Sequence, residues 1–254
     1  MWDGIFCNIN NMDYNNDGIL KKFHKSLQRM SGNIHIIEAR IDVDVQMKFY
    51  SYSNYLKEES NSADMAKQER ILFSPYSSQE EKKHSLALIS NIPDAKAYRL
   101  IEKYNGQSEP ELKDWAALSL IKSRVTLETE LSDEKQMVIS TGLGGKGDKL
   151  RFFVLLIAKN KENFSEFQQK IIQREFPYFL EKADCEAEEI NICGNYVTLL
   201  ILVPILADLQ VILDAPLIEC NLYGDFLSRE YIITNVRKIS TPEITKILND
   251  VYKK

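Results

Sequence analysis

The chain has 254 residues, of which 44% are apolar, and its 32 basic and 37 acidic side chains leave a formal charge of −5. This acidic balance argues against a protein whose whole surface binds nucleic acid. The length is sufficient to bury a core in one large domain or two moderate ones. The four cysteines (Cys7, Cys185, Cys193 and Cys220) lack C-x-x-C spacing, which argues against a zinc or redox motif.

The sequence contains no pattern typical of targeting or membrane insertion. The first six residues lack the basic region, apolar segment and cleavage site of a signal peptide. The longest apolar run, residues 196–206, is about half a membrane span, and it includes Pro204. We therefore interpret the run as a buried strand and expect a soluble, cytoplasmic protein with no membrane partner.

The first 77 residues have the least regular pattern. Asp13, Asn15 and Asp17 have the spacing of the first oxygen ligands in an EF-hand calcium loop. The twelfth position of that loop is His24 instead of a bidentate glutamate, so we interpret the segment as a turn before a helix over residues 19–30. We predict neither a metal nor a cofactor for this protein.

Apolar and polar residues alternate without interruption over residues 39–49. This period of two predicts a strand with one face on a core, and a helix is the competing interpretation. Such a strand needs a partner, either the C-terminal sheet or residues 68–75. Residues 54–67, rich in serine, glutamate and asparagine, predict an exposed linker or a short helix.

Helical patterns dominate from Ser78 onward. Ser78 and Glu81 have the spacing of a capping box, and the helix that comes after them is rich in leucine, isoleucine and alanine. A second helix is predicted over residues 95–104. A third begins near Ser108, with Pro110 in its first turn, and continues to about residue 131.

The start of the third helix resembles a HEAT-type repeat. In residues 109–118 a Glu-Pro-Glu turn precedes the triplet Ala-Ala-Leu, as in such repeats, and the resemblance covers residues 78–131. Short helices with tight turns are typical of stacked helical hairpins. The resemblance implies a surface for protein contact and implies no reaction.

The second half predicts the order β-α-β-β-α-β and then a helix. The predicted elements are strand 150–159, helix 163–183, strands 186–193 and 196–203, helix 207–222, strand 230–239 and helix 244–252. Asn163 is the predicted helix cap, Phe167 lies on the predicted buried face, and Pro177 and Pro216 are expected to kink or split their helices. Gly194-Asn195 predicts a hairpin turn.

These elements predict an α+β protein. The element order is that of a ferredoxin-like split βαβ fold with an additional C-terminal helix. We expect three regions: an N-terminal segment over 1–77, a helical hairpin region over 78–135, and the ferredoxin-like domain over 136–254.

A glycine-rich basic loop lies between the two halves and is the strongest candidate for a partner or ligand site. Its candidate residues are Gly142, Gly144, Gly145, Lys146, Gly147, Lys149 and Arg151. Gly145-Lys146 is followed by glycine, so the loop is not a Walker A motif, and the next element is a predicted strand, which cannot offer a phosphate the N-terminus of a helix. A hairpin tip with three basic residues is expected to suit a phosphate backbone or an acidic partner.

No pattern in the sequence supports an enzyme strongly. The three histidines have no metal-ligand spacing, and there is no Gly-x-Ser-x-Gly elbow. We therefore expect an interaction or adapter protein that acts through contacts with another protein. The alternatives are RNA or ribonucleoprotein binding through residues 142–151, and an enzyme that uses Cys185, Cys193 or Cys220. Sequence does not decide the oligomeric state.

Overall fold

A computed structural model describes residues 34–132 and 136–252. The EF-hand-like segment at Asp13, Asn15 and Asp17, the predicted helix over 19–30 and Cys7 lie outside these residues. The described chain divides into two compact units, the first ending at Ser140 and the second beginning at Thr141. Helices and strands are both present, which confirms the predicted α+β class.

The first unit is mainly helical, with a short parallel pair of strands. Its strands are β1 (Ile34–Ile36) and β2 (Met137–Ile139). Its helices are α1 (Val43–Tyr55), α2 (Lys57–Ser60), α3 (Met65–Phe73), α4 (Gln79–Ile89), α5 (Ala95–Asn105) and α6 (Lys113–Ser132), with a 3₁₀ turn over Pro110–Leu112. The core between these helices contains Phe49, Leu86, Ile101 and Leu118, each less than 1% exposed.

The prediction of a strand over residues 39–49 is wrong, because α1 begins at Val43. The side chain of Asp42 accepts a hydrogen bond from the Asp44 amide at 2.8 Å and caps the helix. The buried positions of α1 are Val43, Gln46, Phe49, Tyr50 and Ser53, a helical period that includes two polar residues. The proposed partner segment, residues 68–75, mostly belongs to helix α3.

The predicted cap of α4 is confirmed, and the start of the third predicted helix differs slightly. The Ser78 amide donates to the Glu81 carboxylate at 2.7 Å, and the Glu81 amide donates to the Ser78 hydroxyl at 3.2 Å. Ser108 does not cap the next helix. Its hydroxyl donates to the Asn105 carbonyl, and the 3₁₀ turn begins after Glu109.

The second unit contains five strands and three helices. Its strands are β3 (Gly145–Lys146), β4 (Lys149–Ala158), β5 (Glu186–Cys193), β6 (Tyr196–Pro204) and β7 (Leu227–Thr234). Its helices are α7 (Glu166–Lys182), α8 (Leu209–Asn221) and α9 (Thr241–Val251). The turn between β5 and β6 is at Gly194, whose φ is +64°, as the Gly194-Asn195 pair predicts.

The strands of the second unit form one antiparallel sheet. β4 pairs with β6 on one side and with β7 and the short β3 on the other, and β5 is the outer neighbour of β6. The odd-numbered residues of β4 lie on the face that packs against α9, with Phe153 and Leu155 near Ile244. Every residue of β4 after Lys149 is buried, because both faces of this strand are covered.

Four predictions for the second unit are corrected. Ser165, and not Asn163, caps α7, in a capping box with Gln168. Phe167 is 61% exposed and not part of the core. Pro177 and Pro216 lie inside continuous helices, because packing of α7 and α8 against the sheet and each other outweighs one lost main-chain hydrogen bond.

The fourth correction concerns the last strand, which begins three residues earlier than predicted. The side chain of Asn221 accepts a bond from the Leu227 amide at 2.8 Å and donates to the Leu227 carbonyl at 2.9 Å. The Asn221 side-chain amide therefore satisfies the backbone groups of Leu227 as a neighbouring strand would, and it fixes where β7 begins. The chain leaves the sheet after Thr234.

Candidate functional site

The glycine-rich loop is a tight hairpin that leads into β4. Lys146 pairs with Lys149 across a two-residue turn at Gly147-Asp148, and Gly147 has a φ of +60°. A backbone conformation with positive φ explains the glycine at this position. Gly144 also has a positive φ, +66°, and its carbonyl accepts a hydrogen bond from the Arg151 amide at 3.0 Å.

Gly142 serves a different purpose, because another part of the backbone passes very close to it. A Cβ atom at this position would lie 1.8 Å from the carbonyl oxygen of Val236, far inside van der Waals contact. The next amide, of Leu143, donates to the Asn235 carbonyl at 2.9 Å. Gly142 therefore allows the start of the loop to dock on the segment after β7.

The basic side chains of the loop are paired with acids near and on β5. Lys146 Nζ lies 2.9 Å from Glu186, and Lys149 Nζ lies 3.0 Å from Asp184 and 3.3 Å from Glu186. The hydrogen bond to Asp184 raises the pKa of Lys149, and the hydrogen bond from Lys146 lowers the pKa of Glu186. An anionic ligand at this loop would compete with these carboxylates.

Arg151 is the buried member of this group. Its Nε and Nη2 atoms donate to the two carboxylate oxygens of Glu188 at 2.5 and 2.8 Å, and its Nη1 donates to the Leu143 carbonyl at 2.7 Å. The residue is 7% exposed. A buried, bidentate guanidinium that also binds the loop backbone holds the loop against the sheet. Arg151 is thus positioned for a structural role.

The sequence interpretation of the acids on β5 changes accordingly. Glu186, Glu188 and Glu189 are close together in the sequence of β5, and each forms an ion pair with a base that is distant in the chain. Lys238, after β7, is the partner of Glu189 at 2.6 Å. The structure therefore brings the basic residues of the predicted site together with an acidic strand that sequence reasoning did not connect to it.

The central strand β4 does not present its two phenylalanines for stacking on RNA bases. Phe152 and Phe153 are 7% and 5% exposed, on opposite faces of β4. The face that carries Phe153 packs against α9 through Ile244 and Leu248.

The three cysteines in the part of the chain that the structure describes are free thiols, and Cys185 and Cys220 are buried. Burial raises the pKa of Cys185 to about 11 and that of Cys220 to about 12. A raised pKa lowers the thiolate fraction, and the thiolate is the nucleophile. Cys220 is buried, whereas Cys193 is exposed.

Several exposed apolar side chains lie on the outer side of α7 and α8. On α8 and at its C-cap, Val211, Ile218 and Leu222 are 65%, 56% and 72% exposed, and they follow the spacing 211, 215, 218, 222 with Ala215. We call these four positions the α8 seam. Beside the seam, the ring of Phe167 on α7 packs against the ring of Tyr223, with 6.5 Å between the ring centroids. Sequence reasoning missed this surface.

Acidic residues flank the α8 seam. In a heptad with d at 211 and 218 and a at 215 and 222, Asp214 occupies a g position and Glu219 an e position. The sequence of α8 contains no lysine or arginine. The seam is thus an apolar stripe with one α8 acid at each edge, and Arg174 of α7 lies over the ring of Tyr223 beside it.

Neither a metal cluster nor a membrane span is found in the part of the chain that the structure describes. Within residues 34–132 and 136–252, no group of three or more histidine, cysteine or acidic side chains is arranged to hold a metal ion. Among the described helices, none has the length and apolar character required to cross a bilayer.

Comparisons with known proteins give little guidance. No protein-family model matches the chain, and no curated protein is similar to it. One solved structure that it resembles is a proposed transposase from Deinococcus radiodurans R1, at 12% identity and a TM-score of 0.34. The match covers 43% of this chain and 93% of that one. This likeness is too slight to support an argument about function.

Proposed function

We propose that the protein is a non-enzymatic interaction protein that binds an α-helix of another protein along the α8 seam. The observation that carries the proposal is the exposure of three large aliphatic side chains at helical spacing, two on α8 and one at its C-cap residue. Contiguous exposed apolar surface of this kind is typical of interaction sites. Spacings of four, three and four residues match the stripe that a partner helix presents in knobs-into-holes packing.

The charges beside the seam define the partner. Asp214 and Glu219 occupy the edge positions that select partners in helical pairs. Two copies of α8 would place these acids against each other in either orientation, which disfavours self-association. The proposed partner is therefore an amphipathic helix with an apolar stripe and lysine or arginine at its edges.

The fold interpretation supports the same type of function. We propose that the second unit is a ferredoxin-like split βαβ domain, since its antiparallel strands have the spatial order β7-β4-β6-β5 with α7 and α8 as the crossovers. We also propose that α4 to α6 form HEAT-like helical hairpins. Both arrangements are common scaffolds for binding surfaces, although the fold alone does not determine the function.

The experiment uses two designed helical peptides with the same apolar a and d residues. One peptide carries lysine at its e and g positions and the other carries glutamate. Fluorescence anisotropy with the full chain should show binding of the lysine peptide and at least about tenfold weaker binding of the glutamate peptide, since like charges at edge positions destabilise the pair. Ile218→Asp should abolish binding of the lysine peptide.

The matched control is Leu131→Asp, which also places a charge on an exposed leucine, in α6 of the first unit. This variant should bind the lysine peptide like the wild type. Equal binding of both peptides, or equal loss in the two variants, would contradict the proposal. A wild-type dimer in sedimentation that Ile218→Asp converts to a monomer would show instead that the seam binds a second copy.

A further inference from the structure

An open cavity of about 720 Å³ lies on the first unit, where α1, α4 and the start of α6 meet. Its lining consists of Lys48, Ser51, Tyr52, Glu80, Lys83 and Trp115. We call it the aromatic cavity. It shares no residue with the α8 seam, so a ligand in this cavity would be independent of the helix-binding function proposed above.

Tyr52 is held in a defined orientation at one wall of the aromatic cavity. Its hydroxyl lies 2.8 Å from His84 Nδ1, and His84 Nε2 lies 3.5 Å from the Glu59 carboxylate. Tyr52 is 36% exposed, which leaves part of its side chain open to solvent. A ring that is anchored through its hydroxyl loses little conformational freedom when a planar ligand stacks on it.

Trp115 forms the second wall and is anchored more firmly. Its indole N–H donates to the Lys83 carbonyl at 2.9 Å, and its ring meets the buried ring of Phe49 edge to face at 5.2 Å. The centroids of Trp115 and Tyr52 are 6.3 Å apart with an interplanar angle of 52°. The two rings therefore form a corner, in which a flat ligand can stack on one ring and contact the edge of the other.

The charged residues that line the aromatic cavity are two lysines, Lys48 and Lys83, and one acid, Glu80. Lys48 lies one helical turn before Tyr52 on α1, and Lys83 Nζ is 5.9 Å from the centroid of Trp115. Glu80 pairs with Lys83 at 2.7 Å within α4, an exposed i,i+3 pair of the kind that contributes little stability. A phosphate can therefore compete for Lys83. A cationic ligand would be repelled by Lys48 and Lys83, and Lys83 already covers one face of the Trp115 ring.

We propose that the aromatic cavity binds a nucleotide, with the base stacked on Tyr52 and in contact with the edge of Trp115, and with the phosphate on Lys48 and Lys83. Aromatic rings beside lysines are the combination by which proteins hold unpaired bases and their phosphates. A free mononucleotide and a nucleotide within a single strand present the same base and phosphate to the protein. The test therefore uses one probe of each kind.

The probes are adenosine monophosphate and an eight-residue oligoadenylate, titrated at two salt concentrations. The readout is quenching of Trp115 fluorescence in a Trp2→Phe background, which leaves Trp115 as the remaining tryptophan of the chain. Tyr52→Ala should weaken binding about fivefold or more, because it removes a stacking ring. Tyr52→Phe keeps the ring but loses the hydroxyl that anchors it to His84, so its affinity should lie between those of the wild type and Tyr52→Ala.

The lysines are tested by the salt dependence. Lys48→Ala and Lys83→Ala should each weaken binding and reduce its dependence on salt, since each removes one phosphate contact. The control is Lys246→Ala, an exposed lysine on α9 of the second unit, which should change neither. Circular dichroism confirms that each variant is folded.

Each outcome either supports or contradicts the nucleotide site. Tighter binding of the oligonucleotide, with a steeper salt dependence, identifies a single strand as the ligand, and equal binding identifies the mononucleotide. Absence of quenching by both probes overturns the proposal. Quenching that Tyr52→Ala and the two lysine variants leave unchanged overturns it as well, because the probes then bind elsewhere.

Discussion

The ion pair between Arg151 and Glu188 should contribute more to stability than any exposed pair of the same loop. The perturbation is Arg151→Met, which keeps the length of the apolar stem and removes the guanidinium. It removes the donors that lie 2.5 to 2.8 Å from the Glu188 carboxylate and the Leu143 carbonyl. Removal of one partner from a buried pair costs about 3–5 kcal/mol.

The partial exposure of Glu188 reduces this figure. Its side chain is 26% exposed, so water can hydrate the carboxylate after Arg151 is removed. We therefore expect Arg151→Met to lower the free energy of unfolding of the second unit by about 2–3 kcal/mol. The reverse variant, Glu188→Met, should cost at least as much, because it leaves the more deeply buried guanidinium without its carboxylate.

The double variant Arg151→Met/Glu188→Met separates the pair from its surroundings. Apolar residues can replace both members of a buried pair at little cost, so the double variant should be more stable than the sum of the two single losses predicts, by at least about 1 kcal/mol. The assay is urea unfolding followed by circular dichroism, with hydrogen exchange of the β4 and β5 amides as the local readout. Lys146, whose side chain is 62% exposed, provides the control in Lys146→Ala.

Two results would refute this reasoning. Equal unfolding midpoints for Arg151→Met and Lys146→Ala would mean that burial adds nothing to the pair. Strictly additive losses in the double variant would mean that the two side chains act separately.

Three further predictions concern single positions. Gly142→Ala should destabilise the protein far more than Gly147→Ala in thermal unfolding, because only the first introduces a Cβ into a backbone carbonyl, whereas the second incurs only the strain of a positive φ, about 1–2 kcal/mol. Burial, and secondarily the charge of Lys57, lowers the pKa of Lys122 to about 7. Between pH 7 and the ordinary pKa of lysine, the Lys122 amine is therefore protonated in the unfolded chain and mostly neutral in the folded one. Wild type should therefore gain stability over Lys122→Met as the pH rises from 7 to 9, by about 2 kcal/mol in urea titrations, and a constant difference would contradict the lowered pKa. In iodoacetamide labelling at pH 8 followed by mass spectrometry, exposed Cys193 should react long before buried Cys220. A faster reaction of Cys220 would support the alternative of an enzyme that uses a cysteine.

Local patterns predicted those elements whose causes are local. The capping box at Ser78, the hairpin at Gly194 and the helix from Ala95 each depend on residues within a few positions of one another. The helix α1 was only the competing interpretation of its segment, because its buried face includes Gln46 and Ser53. Their polar atoms are satisfied only after folding, by the Ile41 carbonyl for Gln46 and by contacts on α4 for Ser53.

The candidate sites were predictable to different degrees. The glycine hairpin and its basic residues follow from a contiguous stretch of sequence. The ion pairs join residues 37 positions apart in Arg151–Glu188 and 40 apart in Lys146–Glu186, and no local pattern reports such pairs. The α8 seam could have been found by counting heptad positions. Apolar residues occupy both sides of α8, however, so the exposed side was not distinguishable from the buried one before the sheet was known.

The distribution of charge explains why the glycine loop ranks below the other two surfaces. Lys146, Lys149 and Arg151 already have carboxylate partners, so a ligand there must break existing ion pairs before it gains new ones. The α8 seam exposes apolar area in water, and covering it with a partner requires no such exchange. In the aromatic cavity, only Lys83 must leave a weak exposed pair. Since the seam and the cavity have no residue in common, Ile218→Asp should leave nucleotide binding unchanged and Tyr52→Ala should leave peptide binding unchanged, whereas a common loss would point to a folding defect.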